Sequence, residues 1–293
     1  MDNTEITIEL ANKLLPQRIQ DSNKGSYGKV LNLAGCTNYQ GAAFLSSLAP
    51  LKVGAGLVTL ATIESVINNI ASNCPCITFF KLKDYKKQCI SKNAFESIKP
   101  IIKNYNVISL GCGLSNTNET QKFVRDIIKY LNKTEIKVVL DADAINVLSN
   151  TATNFPSNAI ITPHPLELSR LINISVDEIQ KNRIKYAKYT AKKFNCNVVL
   201  KGNKTIVCTK ELDVFINTSG NSALAKAGSG DVLTGMISGL LAQGLSTKDA
   251  SILGVFMHGL CGELASQDLT EHSVLATDQI NYIPKVIKRI MDA

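Results

Sequence analysis

The sequence predicts an α/β protein whose central, mostly parallel sheet is covered by helices on both faces. Short apolar runs alternate with longer amphipathic segments along the chain. Runs that are apolar at every position, not at alternate positions, are typical of strands buried on both sides. Polar or glycine-rich residues follow most of these runs. Because ligands of such folds bind beyond the carboxyl ends of the strands, we expect several separate loops to form one cleft.

Each element is predicted from its length and from the residues that end it. Short apolar runs predict strands over residues 30–34, 57–61, 107–110, 137–140, 159–162, 198–200 and 205–207. Longer segments with helical periodicity predict helices over residues 42–53, 117–131, 176–194, 230–241 and 248–266. Ser175 and Glu178 are spaced as a capping box before the third of these helices. We further expect short edge hairpins and a helical C-terminus.

Composition and charge exclude several classes of protein. The chain has 293 residues, 45% hydrophobic and 19% charged, which is enough to bury a sizeable core and argues against disorder. The net charge of +8 comes from dispersed lysines, so we favour a solvated surface over a nucleic-acid interface. Neither a membrane span nor a signal peptide is evident. We expect one domain over residues 1–293, with a helical lead-in over 1–23, in the cytoplasm and without a membrane partner.

The 8 cysteines do not predict a metal site or a disulfide framework. Cys74 and Cys76 form a Cys-x-Cys pair, but no second pair has the spacing of a zinc ribbon. We therefore expect most of the cysteines to be buried thiols in a reducing compartment.

The most informative segment is Gly228-Ser229-Gly230-Asp231, at the start of a predicted helix. Small residues let a ligand approach the backbone, and the free N–H groups of a first helical turn bind anions together with the helix dipole. A carboxylate at this turn can serve as general base for a hydroxyl. A plain glycine-rich turn with Asp231 at the helix terminus has the same pattern, so spacing alone predicts only an anion-binding helix N-terminus.

Several short motifs follow one another along the chain. They are Lys-Gly-Ser-Tyr-Gly at 24–28, Leu-Asn-Leu-Ala-Gly at 31–35, Gly-Ala-Ala at 41–43, Gly-Ala-Gly-Leu-Val at 54–58, Asp-Ala-Asp-Ala at 141–144, Thr-Pro-His-Pro at 162–165, Leu-Lys-Gly at 200–202, Gly-Ser-Gly-Asp at 228–231 and His-Gly at 258–259. Taken in this order, the motifs make the chain resemble the ribokinase-like superfamily. Within it, the chain resembles the ADP-dependent NAD(P)H-hydrate dehydratases, which are related to the C-terminal half of bifunctional NAD(P)H-hydrate repair enzymes.

This resemblance implies a ribokinase-like fold and a repair reaction. In that reaction ADP, in preference to ATP, phosphorylates the hydroxyl that water addition placed on the reduced nicotinamide of NADHX or NADPHX. Loss of phosphate then restores the double bond and releases AMP, phosphate and NADH or NADPH. The resemblance also implies Mg²⁺ with the ADP phosphates, whose ligands on the protein are unknown from the sequence, and a homotetramer.

The resemblance assigns site residues on several loops. Asp231 takes the hydroxyl proton, and the amides of Gly228, Ser229 and Gly230 form an anion hole for the transferred phosphoryl group. The hydrated dinucleotide is expected to contact Ala42, Gly113, His164 and Asp231. ADP or AMP is expected to contact Lys201, Gly202, Asn203, Lys204, Thr205 and Gly230.

Purely structural interpretations compete with these roles. Residues 201–205 fit a β-turn between two strands, and a histidine between two prolines can be structural. Ala42 is simply a good helix former, and Gly113 fits a tight turn. Asp141 and Asp143 can bind metal or orient polar groups, or Asp143 can cap a short helix. His258 has apolar neighbours and is expected to be a satisfied core histidine.

The sequence departs from the family's pattern on the expected dinucleotide side. The departures are Cys76, Cys112, Ser115 and Leu166, where the family commonly has other residues, Cys112 standing in place of proline. An alternative function is that of a ribokinase-like kinase for a small thiazole or pyrimidine alcohol, which shares the Gly-Ser-Gly-Asp segment and phosphorylates without elimination. The motifs at 141–144, 162–165 and 200–202 favour the dehydratase.

Overall fold

The fold is built on one ten-stranded sheet flanked by helices. The structure is a computed structural model and describes residues 3–149 and 155–293. The strands are β1 Thr4–Glu5, β2 Lys29–Leu33, β3 Leu57–Thr62, β4 Thr78–Lys81, β5 Asp84–Tyr85, β6 Cys89–Ile90, β7 Val107–Leu110, β8 Lys137–Leu140, β9 Ala159–Ile161, β10 Asn197–Leu200, β11 Ile206–Cys208 and β12 Val214–Ile216. The helices are α1 Ile8–Leu14, α2 Gln40–Lys52, α3 Glu64–Ile70, α4 Phe95–Ile102, α5 Asn118–Leu131, α6 Asp143–Leu148, α7 Pro165–Ile172, α8 Val176–Lys181, α9 Arg183–Phe194, α10 Ser229–Ala242, α11 Thr247–Leu269 and α12 Ala276–Met291.

The sheet is mostly parallel, as predicted. Its strand order is β1-β12-β11-β10-β9-β8-β7-β2-β3-β4. Neighbouring strands run parallel except where β11 pairs with β10 and with β12. The short pair β5 and β6 forms a separate antiparallel hairpin. The parallel order brings the carboxyl ends of β7, β8, β9 and β10 side by side at one edge, where the predicted site loops begin.

Both faces of the central strands are covered. Every residue of β7 is buried, and so are four consecutive residues of β2. Since successive side chains of a strand point to opposite faces, such a run requires packing on both sides. Helix α10 packs on β2, β7 and β8 and contacts α2, α11 and α12, whereas α9 packs on β10 and β11. The site at the start of α10 is thus anchored in the core.

The helix predicted over residues 176–194 is wrong as a single element. It is divided into α8 and α9 at Asn182, whose φ of −134° and ψ of 44° are not helical. Asparagine favours helix ends because its side chain competes for local hydrogen bonds, and here its amide donates to Glu178 Oε1 at 3.1 Å. Ser175 caps α8 as expected, but Glu178 accepts a hydrogen bond from the Tyr186 hydroxyl, 2.9 Å away.

The N-terminal lead-in contains a strand as well as a helix. Residues 1 and 2 of the segment predicted over 1–23 lie outside the described residues. Strand β1 pairs in parallel with β12 and adds a tenth strand to the sheet, and α1 follows it. Ile6 is buried, and its N–H donates to Ile216 O at 2.9 Å. Two-residue strands have too little periodicity to be recognised in a sequence.

The cysteines agree with the expectation of free thiols. All eight are unpaired, and all except Cys76 are buried. Over the described residues, no helix combines the length and the apolar character needed to cross a bilayer.

Candidate active site

The N-terminus of α10 provides unpaired backbone donors. Gly228 precedes the helix with a φ of 89°, and an added Cβ there would lie 2.5 Å from Leu45 Cδ1, so this position requires glycine. The Ser229 N–H donates to Lys226 O at 3.2 Å and the Val232 N–H to Gly228 O at 3.1 Å. Among the described residues, the N–H groups of Gly230 and Asp231 between them have no backbone acceptor. Of the three amides expected in the anion hole, that of Ser229 is therefore occupied, whereas those of Gly228 and Gly230 donate to no backbone acceptor among the described residues, and Asp231 adds a further free amide.

A cavity of about 700 Å³ opens beside this helix end. This volume is typical of pockets for cofactor-sized ligands. Its walls include every residue that the sequence assigned to the nucleotide, as well as His164 and Ser229. The assigned nucleotide residues are Lys201, Gly202, Asn203, Lys204, Thr205 and Gly230. Gly228 and Asp231 are not in its wall.

The loop 201–205 connects β10 and β11, so the turn that the sequence suggested and the cavity wall are the same segment. The Thr205 hydroxyl donates to Gly202 O at 3.0 Å and closes the turn. The Arg183 guanidinium donates to Leu200 O at 3.0 Å and to Lys201 O at 3.3 Å. Arg183 therefore stabilises the loop through its backbone carbonyls, a role that nothing in its local sequence predicted.

Lys201 is held in a buried ion-pair network. Its Nζ lies 2.7 Å from Asp141 Oδ1 and 3.7 Å from Glu167 Oε2. The Thr234 hydroxyl donates to Asp141 Oδ2 at 2.7 Å. The nearby ammonium holds the pKa of Asp141 below its usual value despite burial, whereas burial raises the pKa of Glu167. Asp141, which the sequence left open between several roles, is thus the residue that fixes Lys201.

The carboxylate of Asp231 lies in a buried and electronegative environment. Burial raises its pKa to about 6, and the charge of Asp141 acts in the same direction. The nearby Cys112 thiol and the positive charge of Lys201 act in the opposite direction and lower the pKa. A carboxylate with a pKa near 6 is still mostly ionised at neutral pH but is more basic than an exposed aspartate. Asp231 therefore has the properties of a general base.

Ala42 and Gly113 meet outside the wall of the cavity. Gly113 is buried and has a φ of 64°, and an added Cβ would lie 2.8 Å from the Ala42 Cβ and 2.7 Å from the Tyr39 Cβ. Tyr39 is exposed. Gly113 follows Cys112, whose sulfur lies within 4.8 Å of a carboxylate oxygen of Asp231.

His164 combines a structural role with a place in the cavity wall. It caps α7, where its Nδ1 accepts hydrogen bonds from the N–H groups of Leu166 and Glu167 at 3.1 and 3.2 Å. The Glu167 carboxylate accepts from the His164 N–H at 2.8 Å and completes a capping box. Burial lowers the pKa of His164, so the ring is neutral, with Nε2 carrying the proton.

A family model described as NAD(P)H-hydrate dehydratase matches residues 30–285 of the chain. The chain belongs to the NAD(P)H-hydrate dehydratase family. It is 35% identical to the ADP-dependent (S)-NAD(P)H-hydrate dehydratase of Bacillus subtilis over 97% of both chains. It is 33% identical to the bifunctional NAD(P)H-hydrate repair enzyme of Thermofilum pendens over 95% of this chain and 53% of that enzyme, so it spans about half the length of the bifunctional relative.

A solved structure resembles the chain over its whole length. It is a crystal structure of the ADP/ATP-dependent NAD(P)H-hydrate dehydratase from Bacillus subtilis, co-crystallised with ATP and Mg²⁺. The two share a TM-score of 0.87 and 33% identity, with 99% of each chain covered. This match confirms the predicted ribokinase-like fold.

His258 is a buried histidine with hydrogen-bond partners, as the sequence predicted. It is buried, and its Nε2 lies 3.1 Å from the Ser229 hydroxyl and 3.2 Å from Gln279 Oε1. Burial lowers its pKa to about 4, so the ring is neutral. His258 also lines the cavity and holds the Ser229 side chain.

Of the roles that the sequence left open for Asp143, that of capping a short helix is wrong. Helix α6 begins at Asp143, and the capping position belongs to Ala142, which has a φ of 46°. Asp143 Oδ2 instead accepts a hydrogen bond from the Ser115 N–H at 2.7 Å. This bond ties the loop after β7 to the loop after β8. A pairing of residues 28 positions apart has no signal in the sequence.

Proposed function

We propose that this protein dehydrates (6S)-NADHX and (6S)-NADPHX to NADH and NADPH in a reaction that uses ADP and Mg²⁺. The observation that supports this best is the position of Asp231. Its backbone N–H and that of Gly230 are free at the N-terminus of α10, beside the cavity. Its carboxylate lies within 4.8 Å of the Cys112 sulfur, in the loop whose Gly113 packs on Ala42. Asp231 thus lies at an anion-binding helix end and near the loop where we expect the hydroxylated substrate.

The chemistry follows from this arrangement. The dinucleotide lies along Ala42 and Gly113 with its ring hydroxyl against Asp231, and the carboxylate accepts the hydroxyl proton as the oxygen attacks the β-phosphorus of ADP. The bond between that phosphorus and the bridging oxygen breaks, and AMP leaves. The amides of Gly230 and Asp231 stabilise the charge on the transferred group. Phosphate then leaves the ring with its bonding electron pair, the adjacent ring carbon releases a proton, and the double bond returns.

The cavity suits the adenine nucleotide. Lys201, Lys204 and Lys226 line it and give it positive charge for the phosphates. The loop 201–205 and the segment around Asn221 provide its polar walls. We propose ADP in preference to ATP, following the ADP-dependent relative from Bacillus subtilis, although the solved relative is described as ADP/ATP-dependent.

The side chains near Asp231 leave the binding of Mg²⁺ to the phosphates of the nucleotide. Among the described residues, Cys112, Asp141 and Asp231 bring their ligand atoms within 4.8 Å of one another. Mg²⁺ prefers oxygen ligands and is commonly held by substrate phosphates and water. The Cys112 thiol stays protonated, and both Asp141 oxygens already accept hydrogen bonds. The ADP phosphates are therefore the expected ligands, and the bound ion neutralises their charge.

The test is the absorbance of reduced nicotinamide in a mixture of the protein, Mg²⁺, hydrated NADH and either ADP or ATP. We expect a rise that depends on ADP and is accompanied by equal amounts of AMP and phosphate. A preference for ATP would mean that ATP is the phosphoryl donor and would leave the proposed repair reaction unchanged. No rise with either nucleotide, from folded protein that binds ADP, would refute the proposal.

The alternative is phosphorylation of a small thiazole or pyrimidine alcohol. It shares the helix end and Asp231 but gives a stable phosphate ester without elimination. The match to the NAD(P)H-hydrate dehydratase family model and the ADP-dependent relative from Bacillus subtilis favour the dehydratase over such a kinase. Formation of a phosphate ester from such an alcohol, without any repair of hydrated NADH, would favour the kinase.

We also propose, from the resemblance, a cytoplasmic homotetramer. Sedimentation of the purified protein at several concentrations tests the assembly, and a species of one chain at all concentrations would refute it. The unpaired, buried cysteines are consistent with a reducing compartment.

A further inference from the structure

Arg183 contacts the backbone of the loop 201–205 without lining the cavity itself. It is the first residue of α9, directly after the break at Asn182. Its Nη2 donates to Leu200 O at 3.0 Å and to Lys201 O at 3.3 Å. A Cβ added at Gly202 would lie 2.8 Å from Arg183 Nη1, so the backbone of Gly202 packs on the guanidinium. The conformation of this part of the cavity wall therefore depends on Arg183.

These two hydrogen bonds determine where the neighbouring N–H groups point. In a trans peptide the C=O and the following N–H point in opposite directions. Since Leu200 O and Lys201 O face the guanidinium, the N–H groups of Lys201 and Gly202 point away from it. The Lys201 N–H donates to Pro163 O at 2.9 Å. The Gly202 N–H donates to no backbone acceptor among the described residues, and Gly202 lines the cavity.

The positive charge of Arg183 is unfavourable in the protein alone. At the first position of α9 the helix dipole disfavours a cation, and the side chain is partly buried, which lowers its pKa. Within the part of the chain that the structure describes, no carboxylate forms an ion pair with Arg183. Its Nη1 donates to the neutral Gln180 Oε1 at 2.9 Å, and its Nε is buried without an acceptor. An anionic ligand would provide the missing compensation.

The lysine in the same loop is compensated already. Lys201 Nζ lies 2.7 Å from Asp141 Oδ1 and 3.7 Å from Glu167 Oε2. A phosphate at this wall would meet a lysine whose charge is shared with two carboxylates. The charge of Arg183 is not shared in this way.

We propose that Arg183 is a positioning residue for ADP: it holds the Lys201 carbonyl so that the Gly202 N–H donates to a phosphate of the nucleotide, and its charge attracts that phosphate. This inference rests on the proposed function, in which the cavity binds ADP. It adds to that function a residue outside the cavity wall, which acts on the nucleotide through the backbone of the loop.

The test measures the Kd of ADP with Mg²⁺ by calorimetric titration, and the KM values of ADP and of hydrated NADH, for the wild type, Arg183→Met and Arg183→Lys. Methionine has neither donor nor charge, so we expect the Kd and KM of ADP to rise about tenfold, as for one lost charge-assisted hydrogen bond. The KM of hydrated NADH should stay near the wild-type value. Lysine keeps the charge but not the planar fork, so the rise should be about threefold.

Arg18→Met is the matched control, because Arg18 also donates to a loop carbonyl, Gly54 O, at 2.6 Å. Gly54 precedes β3, at the opposite edge of the sheet from the loop 201–205, and is not in the cavity wall. Both methionine variants are expected to unfold at lower urea concentration than the wild type. Only Arg183→Met should also bind ADP less tightly, which a purely structural role would not produce.

Three outcomes would overturn the role of Arg183. They are wild-type ADP binding by Arg183→Met, an equal rise in the KM of ADP and of hydrated NADH, and ADP binding by Arg183→Lys that is no tighter than that of Arg183→Met. If Arg183→Met does not fold, wild-type ADP binding by Arg183→Lys overturns it. A wild type that binds ADP but does not restore the absorbance of hydrated NADH would instead refute the repair reaction, and the Kd values would still test Arg183.

Discussion

At the scale of single residues, the site depends on three carboxylates around one ammonium group. Asp141, Glu167 and Asp231 all interact with Lys201. Asp141 takes the closest position, and its pKa is lowered, whereas burial raises the pKa of Glu167 and Asp231. The charges of Asp141 and Glu167 raise the pKa of Lys201 above its usual value despite burial. Because one cation cannot compensate three anions, the least compensated of them is available as a base.

Asp231→Asn should fold and lose most of its turnover. Asparagine has nearly the same shape but cannot accept the hydroxyl proton, and general-base catalysis is worth on the order of 10²-fold or more. We expect kcat to fall by at least that factor while ADP still binds. The measurements are steady-state kinetics with hydrated NADH and calorimetric titration with ADP. Near-normal turnover would exclude Asp231 as the base.

Lys201→Met should destabilise the protein and weaken ADP binding. Removing the ammonium leaves Asp141 and Glu167 without their cation, and breaking such a buried pair costs about 3 kcal/mol. Lys285→Met is the matched control, since Lys285 pairs with Asp268 on the surface at 3.1 Å. That variant should leave the free energy of unfolding close to the wild-type value, because solvent screens an exposed ion pair. Equal losses in the two variants, measured by urea unfolding, would contradict the role of the buried pair.

At the scale of elements, the two glycines at the N-terminus of α10, Gly228 and Gly230, have different roles. Gly228 needs its positive φ to start the helix, whereas Gly230 is within the first turn and lines the cavity. A Cβ added at Gly230 would lie 3.4 Å from Lys201 Nζ and 3.9 Å from Asp141 Oδ2, which are ordinary contact distances. The fold tolerates a methyl group there, but the space for a phosphate becomes smaller.

Gly230→Ala should therefore keep the stability of the wild type but use ADP less well. Gly228→Ala should above all lose stability. We expect the melting temperature of Gly230→Ala to match the wild type and its KM for ADP to rise about tenfold. Gly228→Ala should lose about 1–3 kcal/mol, because alanine at this φ is strained and meets Leu45. Thermal melts and ADP titrations of both variants decide the point, and unchanged ADP kinetics in Gly230→Ala would mean that the segment is only a turn.

The elements also show which parts of the site can be predicted from a sequence. Local signals were sufficient for seven strands of the sheet and for the start of α10, because each has its own periodicity and ending, but they missed β1, β4 and β12. They failed at Asn182, where a single capping residue divides one amphipathic run into two helices. They were silent on Arg183, which braces the nucleotide loop through two carbonyls that only the folded chain brings near.

At the scale of the whole molecule, the site exists because the sheet order brings distant segments together. Asp141 and Lys201 are 60 positions apart, and Thr234 is 93 positions from Asp141. They meet because β7, β8, β9 and β10 are neighbours whose carboxyl ends lie at one edge, and α10 packs on β7 and β8. The sequence predicted each loop, but the hydrogen bonds among the loops depend on strand order, which local patterns do not determine.

The same packing gives two buried groups opposite effects on stability as pH changes. Asp231 has a folded pKa of about 6 against 3.8 when unfolded, so the folded protein gains stability as pH falls through this range. His258 has a folded pKa of about 4 against 6.5 when unfolded, so the folded protein loses stability over a similar range, because only the unfolded chain takes up the proton. Both groups lie around α10, and their effects oppose each other between about pH 6.5 and pH 4.

This opposition predicts how the stability of Asp231→Asn depends on pH. At about pH 8 the variant lacks a buried charge and should exceed the wild type by up to about 3 kcal/mol, since each pKa unit is worth about 1.4 kcal/mol. As the pH falls to about 4, the wild-type carboxylate is protonated, and the advantage should disappear.

His258→Gln should show the reverse trend, with a deficit at about pH 8 that shrinks in acid, because the wild type alone then loses the contribution of its neutral imidazole. The measurement is the free energy of unfolding in urea at several pH values, taken as the difference between each variant and the wild type so that the other carboxylates cancel. If these differences do not change with pH, neither Asp231 nor His258 has the shifted pKa that its burial implies. The raised pKa of Asp231 could then not support its role as the base.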